Sequence, residues 1–400
     1  MVDPSRDLRL SSREQCSKMS FRRQRTHGVH ACHPGVARLN DPQRSAPGMT
    51  TRLQVGFGRV RLKNPVIAAA AEHLIEAEGI RAAIEAGAGA VVVKSTNETM
   101  AGKDQLGRAE YVALDAGWNP IPWNASAPPE VTLASRSGMS PMGFDDWIAQ
   151  NVAMDRLARD RDCLLVASLV MADLQASLDL ARRIEGAGLR AIEFNIGTPY
   201  ASQAAKGVVT TELQPTRVGE LVAAMRGAVS LPLWVKLTGQ SERVPELAEA
   251  AFDAGADAVV MAGRLLGMVP DLDSMSPMLG TSLGIGGYWN LPLTCHWLAI
   301  TRARLGPEAA LIGINGARDG RDVARMMLAG ASAVGIASPV MLRGAGILRD
   351  AVSSLDAYLT AKSLTAEGLV GRAADARRTF AQMPPLDENW RRYVTPEGQR

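Results

Sequence analysis

The chain is poor in aromatic residues: seven Trp, five Tyr and six Phe are spread over 400 positions. A core of this size must then be built from Ala, Val, Leu and Ile, which suits short buried strands of an α/β fold better than an aromatic-rich sandwich. Cysteine is equally scarce. Cys16, Cys32, Cys163 and Cys295 stand far apart without a CxxC pair, so neither a disulfide framework nor an iron–sulfur cluster is indicated, and a reducing cytoplasm is the expected setting. No apolar run reaches 18 residues, and the first residues lack the apolar core of a secretory signal. Neither a membrane span nor export is expected. Net charge is also small, at +3. Much of it sits in Met1–Pro47, which holds nine Arg and Lys against four Asp and Glu. The remainder is slightly acidic, and nucleic acid is not expected as a partner.

Residues 1–48 are rich in Arg, Ser, His and Pro and have no apolar period, which predicts a disordered extension. His27, His30, His33 and Cys32 crowd together there, but a solvated tail is the preferred reading and no metal site is assigned. An Arg-rich transit peptide is the other reading, which Pro4, Pro34 and Gly35 weaken. From Asn64 onward, apolar runs of four to seven residues alternate with helical patterns. The strands predicted are Val66–Ala71, Ala90–Val93, Cys163–Leu169, Ala191–Ile196, Leu233–Leu237, Ala258–Ala262, Ala310–Ile314 and Ala333–Ala337. Helices are predicted over Ile75–Ala86, Asp173–Ala187, Thr216–Ala228, Val244–Ala254, Leu293–Arg304 and Gly320–Leu328. Eight strands alternating with helices close most simply as a (β/α)₈ barrel over residues 49–362, with 363–400 as a C-terminal tail. Long loops after strands two and six, Ser95–Pro141 and Gly263–Gly287, are expected to shape a pocket, act as lids or meet a partner.

In such a barrel, polar residues at the C-terminal ends of strands carry the chemistry. Lys94, Asn195, Lys236, Arg264, Asn315 and Ser338 all fall there. The small-residue turns Gly313-Ile314-Asn315-Gly316 and Ala337-Ser338-Pro339 suit a phosphate. Lys94 and Lys236, in apolar surroundings, suit a ring that accumulates negative charge, such as a reduced flavin. Structural ion pairs with Glu72, Glu193 or Glu98 are the alternative use for both lysines. Thr198, in Asn195-Ile196-Gly197-Thr198-Pro199, offers a hydroxyl held by a stiffened turn, and His73 is a candidate base to help it.

The segments Asn64-Pro65-Val66, Ala90-Val91-Val92-Val93-Lys94-Ser95, Glu193-Phe194-Asn195-Ile196-Gly197-Thr198-Pro199, Val235-Lys236-Leu237-Thr238 and Gly330-Ala331-Ser332-Ala333-Val334 resemble the FMN barrel of dihydroorotate dehydrogenases and of the pyrimidine half of dihydropyrimidine dehydrogenase. The resemblance implies FMN as cofactor, with Ala70, Lys94, Asn195, Lys236, Gly263, Gly286, Asn315, Gly316, Ala337 and Ser338 around it. It places Thr198 where the family carries its catalytic Cys or Ser, and Asn195, Tyr200 and Arg264 toward the substrate. Tyr200 replaces a substrate-binding Asn of the family, Gly263-Arg264 replaces its Asn-Thr or Asn-Ser, and Ala69-Ala70-Ala71 replaces Ala-Ser-Gly or Ala-Ser-Ala. A cyclic amide-like substrate other than dihydroorotate is therefore expected, acted on at a CH–CH or C=C bond. The Arg264 guanidinium would suit a carboxylate or other accepting group on it. Without cluster cysteines, electrons must pass to or from a diffusible acceptor or another protein, and a homodimer is expected. Three other readings stay open: a lyase or isomerase barrel holding a sugar phosphate, an inactive barrel subunit, and a dihydrouridine-synthase-like RNA enzyme, which the neutral body argues against.

Overall fold

Strands β1 (Val66–Ala68), β2 (Ala90–Val92), β3 (Leu164–Val170), β4 (Ile192–Asn195), β5 (Leu233–Lys236), β6 (Ala258–Met261), β7 (Leu311–Ile314) and β8 (Ala331–Ile336) form a ring in the computed structural model, which describes residues 51–198, 212–261, 263 and 265–394. They pair in parallel in chain order, and β8 closes on β1 through Val334↔Val66 and Ile336↔Ala68. The strands are apolar almost throughout because both faces are covered, by interior side chains on one side and helices on the other. This is the expected (β/α)₈ barrel, and each of the eight strands falls where the apolar runs predicted it.

Eight principal helices return the chain: α1 (Ala77–Glu85), α2 (Phe144–Asp160), α3 (Leu174–Gly186), α4 (Pro215–Ala228), α5 (Val244–Asp253), α6 (Leu291–Leu305), α7 (Gly320–Leu328) and α8 (Gly346–Lys362). Asp173 opens α3 by accepting from the Ala176 N–H, and Asp319 opens α7 by accepting from the Arg321 and Asp322 N–H groups. Past α1, α5 and α7, Gly87, Gly255 and Gly330 adopt φ of 94°, 100° and 119°. These are the left-handed turns that the repeated Ala-Gly phrases announce. Helices α2 and α8 are additions that the sequence patterns named above did not include.

The N-terminal face of the barrel is plugged by a hairpin, Val55–Phe57 paired with Val60–Leu62. Val55, Phe57, Val60 and Leu62 are buried, and the Phe57 ring lies 5.9 Å from that of Trp234. Arg59 at the hairpin turn donates from Nε and Nη2 to the Asp257 carboxylate, at 2.6 and 2.9 Å, and also reaches the Ser230 and Leu231 carbonyls. Arg226 and the Leu233 N–H converge on the same carboxylate. Burial opposes its ionisation, but these donors outweigh burial and hold the Asp257 pKa below the usual carboxylate range. On the same body, Ala366 and Leu369 are fully buried, and Asp375 takes a bidentate pair from Arg302.

At the opposite face the two long loops join in one antiparallel sheet, ordered Leu265–Gly267, Leu283–Gly287, Thr132–Arg136, Glu110–Leu114, Pro120–Ile121. The two insertions thus form a single lid. Leu114, Ala134, Val269, Met278, Leu283 and Ile285 give it a core of its own.

Asp257 joins the plug to two strands. Asp257→Ala is expected to cost about 3 kcal/mol, since it strands partly buried cations, whereas Arg59→Ala, at a half-exposed position, should cost about 1 kcal/mol or less. Urea unfolding of the two variants beside the parent measures both.

Candidate active site

A cleft opens at the C-terminal ends of the barrel strands, and every strand end contributes to its wall: Ala70, Lys94, Val170, Asn195, Lys236, Gly263, Asn315 and Ser338 all line it. Lid residues Tyr111, Leu133, Ser135, Ser137, Gly286 and Gly287 complete the enclosure. The empty space, counting the part open to solvent, is about 1590 Å³. Concave and walled by strand ends and lid together, it has the form of a small-molecule site.

On one side of the cleft lie the two small-residue turns. Asn315, with φ of 68°, and Gly316, with φ of 123°, follow β7. A Cβ at Gly316 would stand 2.6 Å from the Leu291 nitrogen, so only glycine lets the first turn of α6 approach. The Thr294 hydroxyl donates to the Asn315 carbonyl at 2.8 Å and fixes the turn. Gly286 from the lid comes so close that a Cβ there would meet the Asn315 Oδ1 at 2.8 Å. After β8, Ala337 and Ser338 open a short helix, Ser338–Arg343, whose last residue also lines the cleft. Bare backbone on both turns, with Arg343 lining the same cleft, fits the phosphate of a mononucleotide.

Across the cleft stand the two lysines. Lys94 Nζ donates to Glu72 Oε1 at 2.6 Å and to Ser137 Oγ at 3.4 Å. Lys236 Nζ lies 3.6 Å from Glu193 Oε1. All four side chains are largely buried. The carboxylate pairing considered as the alternative for the lysines is thus present, and both lysines line the cleft as well. Glu98, the third carboxylate considered, accepts from the Asp173 N–H instead. A chain of contacts continues inward: Ser168 donates to Glu193 at 2.9 Å, which makes Ser95 the donor in its 2.7 Å contact with Ser168. Four adjacent strand ends, β2 to β5, are coupled in this way.

Asn195 is the last residue of β4, and its Oδ1 accepts from the Gly197 N–H at 3.1 Å. That contact shapes the turn presenting Thr198, which lines the cleft with its hydroxyl shut off from bulk water. Gly197 packs so closely on β5 that a Cβ would meet the Leu237 carbonyl carbon at 2.3 Å. Every cofactor-side residue expected from the sequence lines this one cleft. His73 does not. It sits in a single turn, Glu72–Leu74, with both ring nitrogens closed off and without a hydrogen-bond partner among the described residues. Burial pushes its pKa down to about 4 and Lys94 adds to the depression, against an opposing pull from Glu72. Tyr200 and Arg264 lie outside the described residues.

Several wall residues went unnamed in the sequence reading: Tyr111, Ser135, Ser137, Arg318 and Arg343. Arg343 was findable, since it ends a short helix opened by Ser338-Pro339. The lid serines carry no local signal, because strand pairing between distant loops brings them to the cleft.

Residues 52–359 match the family model described as dihydroorotate dehydrogenase. Among similar proteins, the dihydroorotate dehydrogenase B (NAD(+)) catalytic subunit of Methanocaldococcus jannaschii is 27% identical over 80% of this chain and 98% of its own length. The corresponding subunit of Methanosarcina mazei is 28% identical over 76% of this chain and 89% of its own. A dihydroorotate dehydrogenase A (fumarate) of Lactobacillus helveticus is 28% identical over 52% of this chain and 69% of its own. With a matching barrel, a matching order of motifs and a family match across most of its length, the chain belongs to the dihydroorotate dehydrogenase family and is an FMN-dependent oxidoreductase acting on a CH–CH bond.

Proposed function

We propose that this enzyme oxidises a CH–CH bond, or reduces a C=C bond, in a small cyclic amide-like ring, with Thr198 handling the proton. One observation carries the reading: ten residues expected around the cofactor, drawn from seven strand ends and the lid, line a single cleft together with Thr198. When bound, FMN supplies a hydride-accepting or hydride-donating centre at N5 of its ring. The Asn315-Gly316 and Ala337-Ser338 turns and Arg343 would hold its phosphate. Lys94, Asn195 and Lys236 would face its ring. The lid limits water, so each charge in the cleft acts in a low dielectric.

Thr198 differs from the family's Cys or Ser in what it can do. An aliphatic hydroxyl ionises far above neutrality, so it passes a proton through water or a neighbouring base without becoming a stable anion itself. His73 is poorly placed for that relay, behind the wall and neutral, so water entering at the cleft mouth is the proposed carrier. Similarity to proteins named as catalytic subunits supports a further proposal, that electrons leave or arrive through another protein.

Thr198→Val keeps the shape and removes the hydroxyl. It should slow substrate-driven flavin reduction or oxidation by at least ~10²-fold, the usual loss for a positioned acid or base, with FMN content unchanged and Thr198→Ser retaining much of the rate. Anaerobic stopped-flow kinetics reads this, and a Val variant at the parental rate would reject the role. Lys236→Ala leaves Glu193 uncompensated, so flavin occupancy or reduction potential should fall, more than in Lys94→Ala. Unchanged occupancy and potential in both variants would remove the lysines from the flavin site. For His73 the sign follows from its depressed pKa: unfolded chains take up a proton below pH 6.5 that the folded chain refuses down to about 4. Stability should hold above pH 6.5 and fall as pH drops toward 4, by up to about 3 kcal/mol. Urea unfolding at pH 7 and 4.5 should show a smaller fall for His73→Leu than for the parent.

A further inference from the structure

We propose that Glu72 is a specificity-determining residue that excludes ring carboxylates, so that the substrate ring is uncharged at the corner beside Lys94. The inference rests on the flavoenzyme reading above and deepens it. Relatives of this chain are named for dihydroorotate, a ring that bears a carboxylate. To receive such a group a cleft needs a cation or several N–H donors turned toward it. The corner formed by the loop after β1 and the end of β2 offers the reverse. The side chains of Ala69, Ala70 and Ala71 supply only methyl groups, and the next residue, Glu72, lines the cleft with a carboxylate of its own.

That carboxylate is held in place. The Glu72–Leu74 turn is closed by the Leu74 N–H to the Ala71 carbonyl and the Ile75 N–H to the Glu72 carbonyl. It is tied to β2 by the Lys94 N–H, which donates to the Leu74 carbonyl at 3.0 Å. The Trp147 indole donates to the Lys94 carbonyl at 3.2 Å and fixes the same backbone from α2. Side chain meets side chain at 2.6 Å, with Lys94 9% and Glu72 17% exposed. The Lys94 charge is therefore already answered inside the protein, and an incoming carboxylate would meet Glu72 at close range. Lys236 is answered likewise by Glu193. Arg318 at the cleft wall is answered by Glu130 and Asp322, whereas Arg343, at the end of the Ser338–Arg343 helix, lines the cleft with no ion pair among the described residues. The cleft is thus cationic where a phosphate would sit and compensated where the ring would sit.

The test uses the full-length FMN-loaded protein in its oxidised form, titrated with orotate and separately with uracil, a neutral ring of the same skeleton, while the flavin absorbance is followed. Uracil should perturb the flavin with a Kd at least tenfold below that of orotate. Glu72→Gln should move this ratio at least tenfold toward orotate, and Glu72→Asp should keep the parental preference. Orotate binding the parent as tightly as uracil overturns the proposal, and loss of that binding in Arg264→Gln would assign the carboxylate to the guanidinium. A ratio unmoved by Glu72→Gln, or a bound flavin that responds to neither ring, overturns it too. The parental comparison requires no variant to fold. A protein that takes up no FMN is recognised before any ring is added, and it sinks the flavin reading along with this one.

Discussion

Ring closure is the constraint on which this structure depends. Strand β8 must hydrogen-bond to β1, and it does so through the Val334 N–H to the Pro65 carbonyl and the Ala69 N–H to the Ile336 carbonyl. Once the ladder is closed it has no free edge, its interior must be filled by side chains, and all eight strands end on one face. The side chains at those ends have no further layer of barrel above them. They form the floor of a cleft whatever their identity, and polar residues are tolerated there, while those deeper, such as Ser168 and Glu193, are hydrogen-bonded to one another.

What occupies that floor is a balanced set of charges. Lysines at the ends of β2 and β5 would be costly in such enclosed surroundings if left alone, and each has a carboxylate from a neighbouring segment, Glu72 or Glu193. Pairing does not make these groups inert. In a low-dielectric cleft a compensated pair still presents a local field to any ring beside it, and its direction is set by which partner lies nearer. The Ser95–Ser168–Glu193 chain fixes that direction for Lys236, and the Glu72–Leu74 turn fixes it for Lys94.

The lid answers a different requirement. Two insertions leave the barrel at distant points in the chain, and neither could bury its apolar residues alone. Paired through Gly284↔Ser135 and Ile285↔Ala134, they make a five-stranded sheet with its own core and carry Ser135, Gly286 and Gly287 to the cleft. This wall of the cleft is therefore built without lengthening any barrel strand.

The sequence by itself determined the barrel and most of the cleft floor. Apolar runs of four to seven residues, helical periods ending on Ala-Gly, and polar residues just past each run are local signals, so strand positions and Lys94, Asn195, Lys236, Asn315 and Ser338 were legible without contacts. Tertiary structure alone decided the rest. The union of two loops in one lid, the choice of Glu72 for Lys94 while Glu98 turned to the Asp173 N–H, and the burial of His73 behind the wall all depend on segments far apart in the chain. The physical reason is one of range: a strand or a turn is specified by residues within a few positions of one another, whereas an ion pair or a sheet register depends on where closure of the ring places the partner.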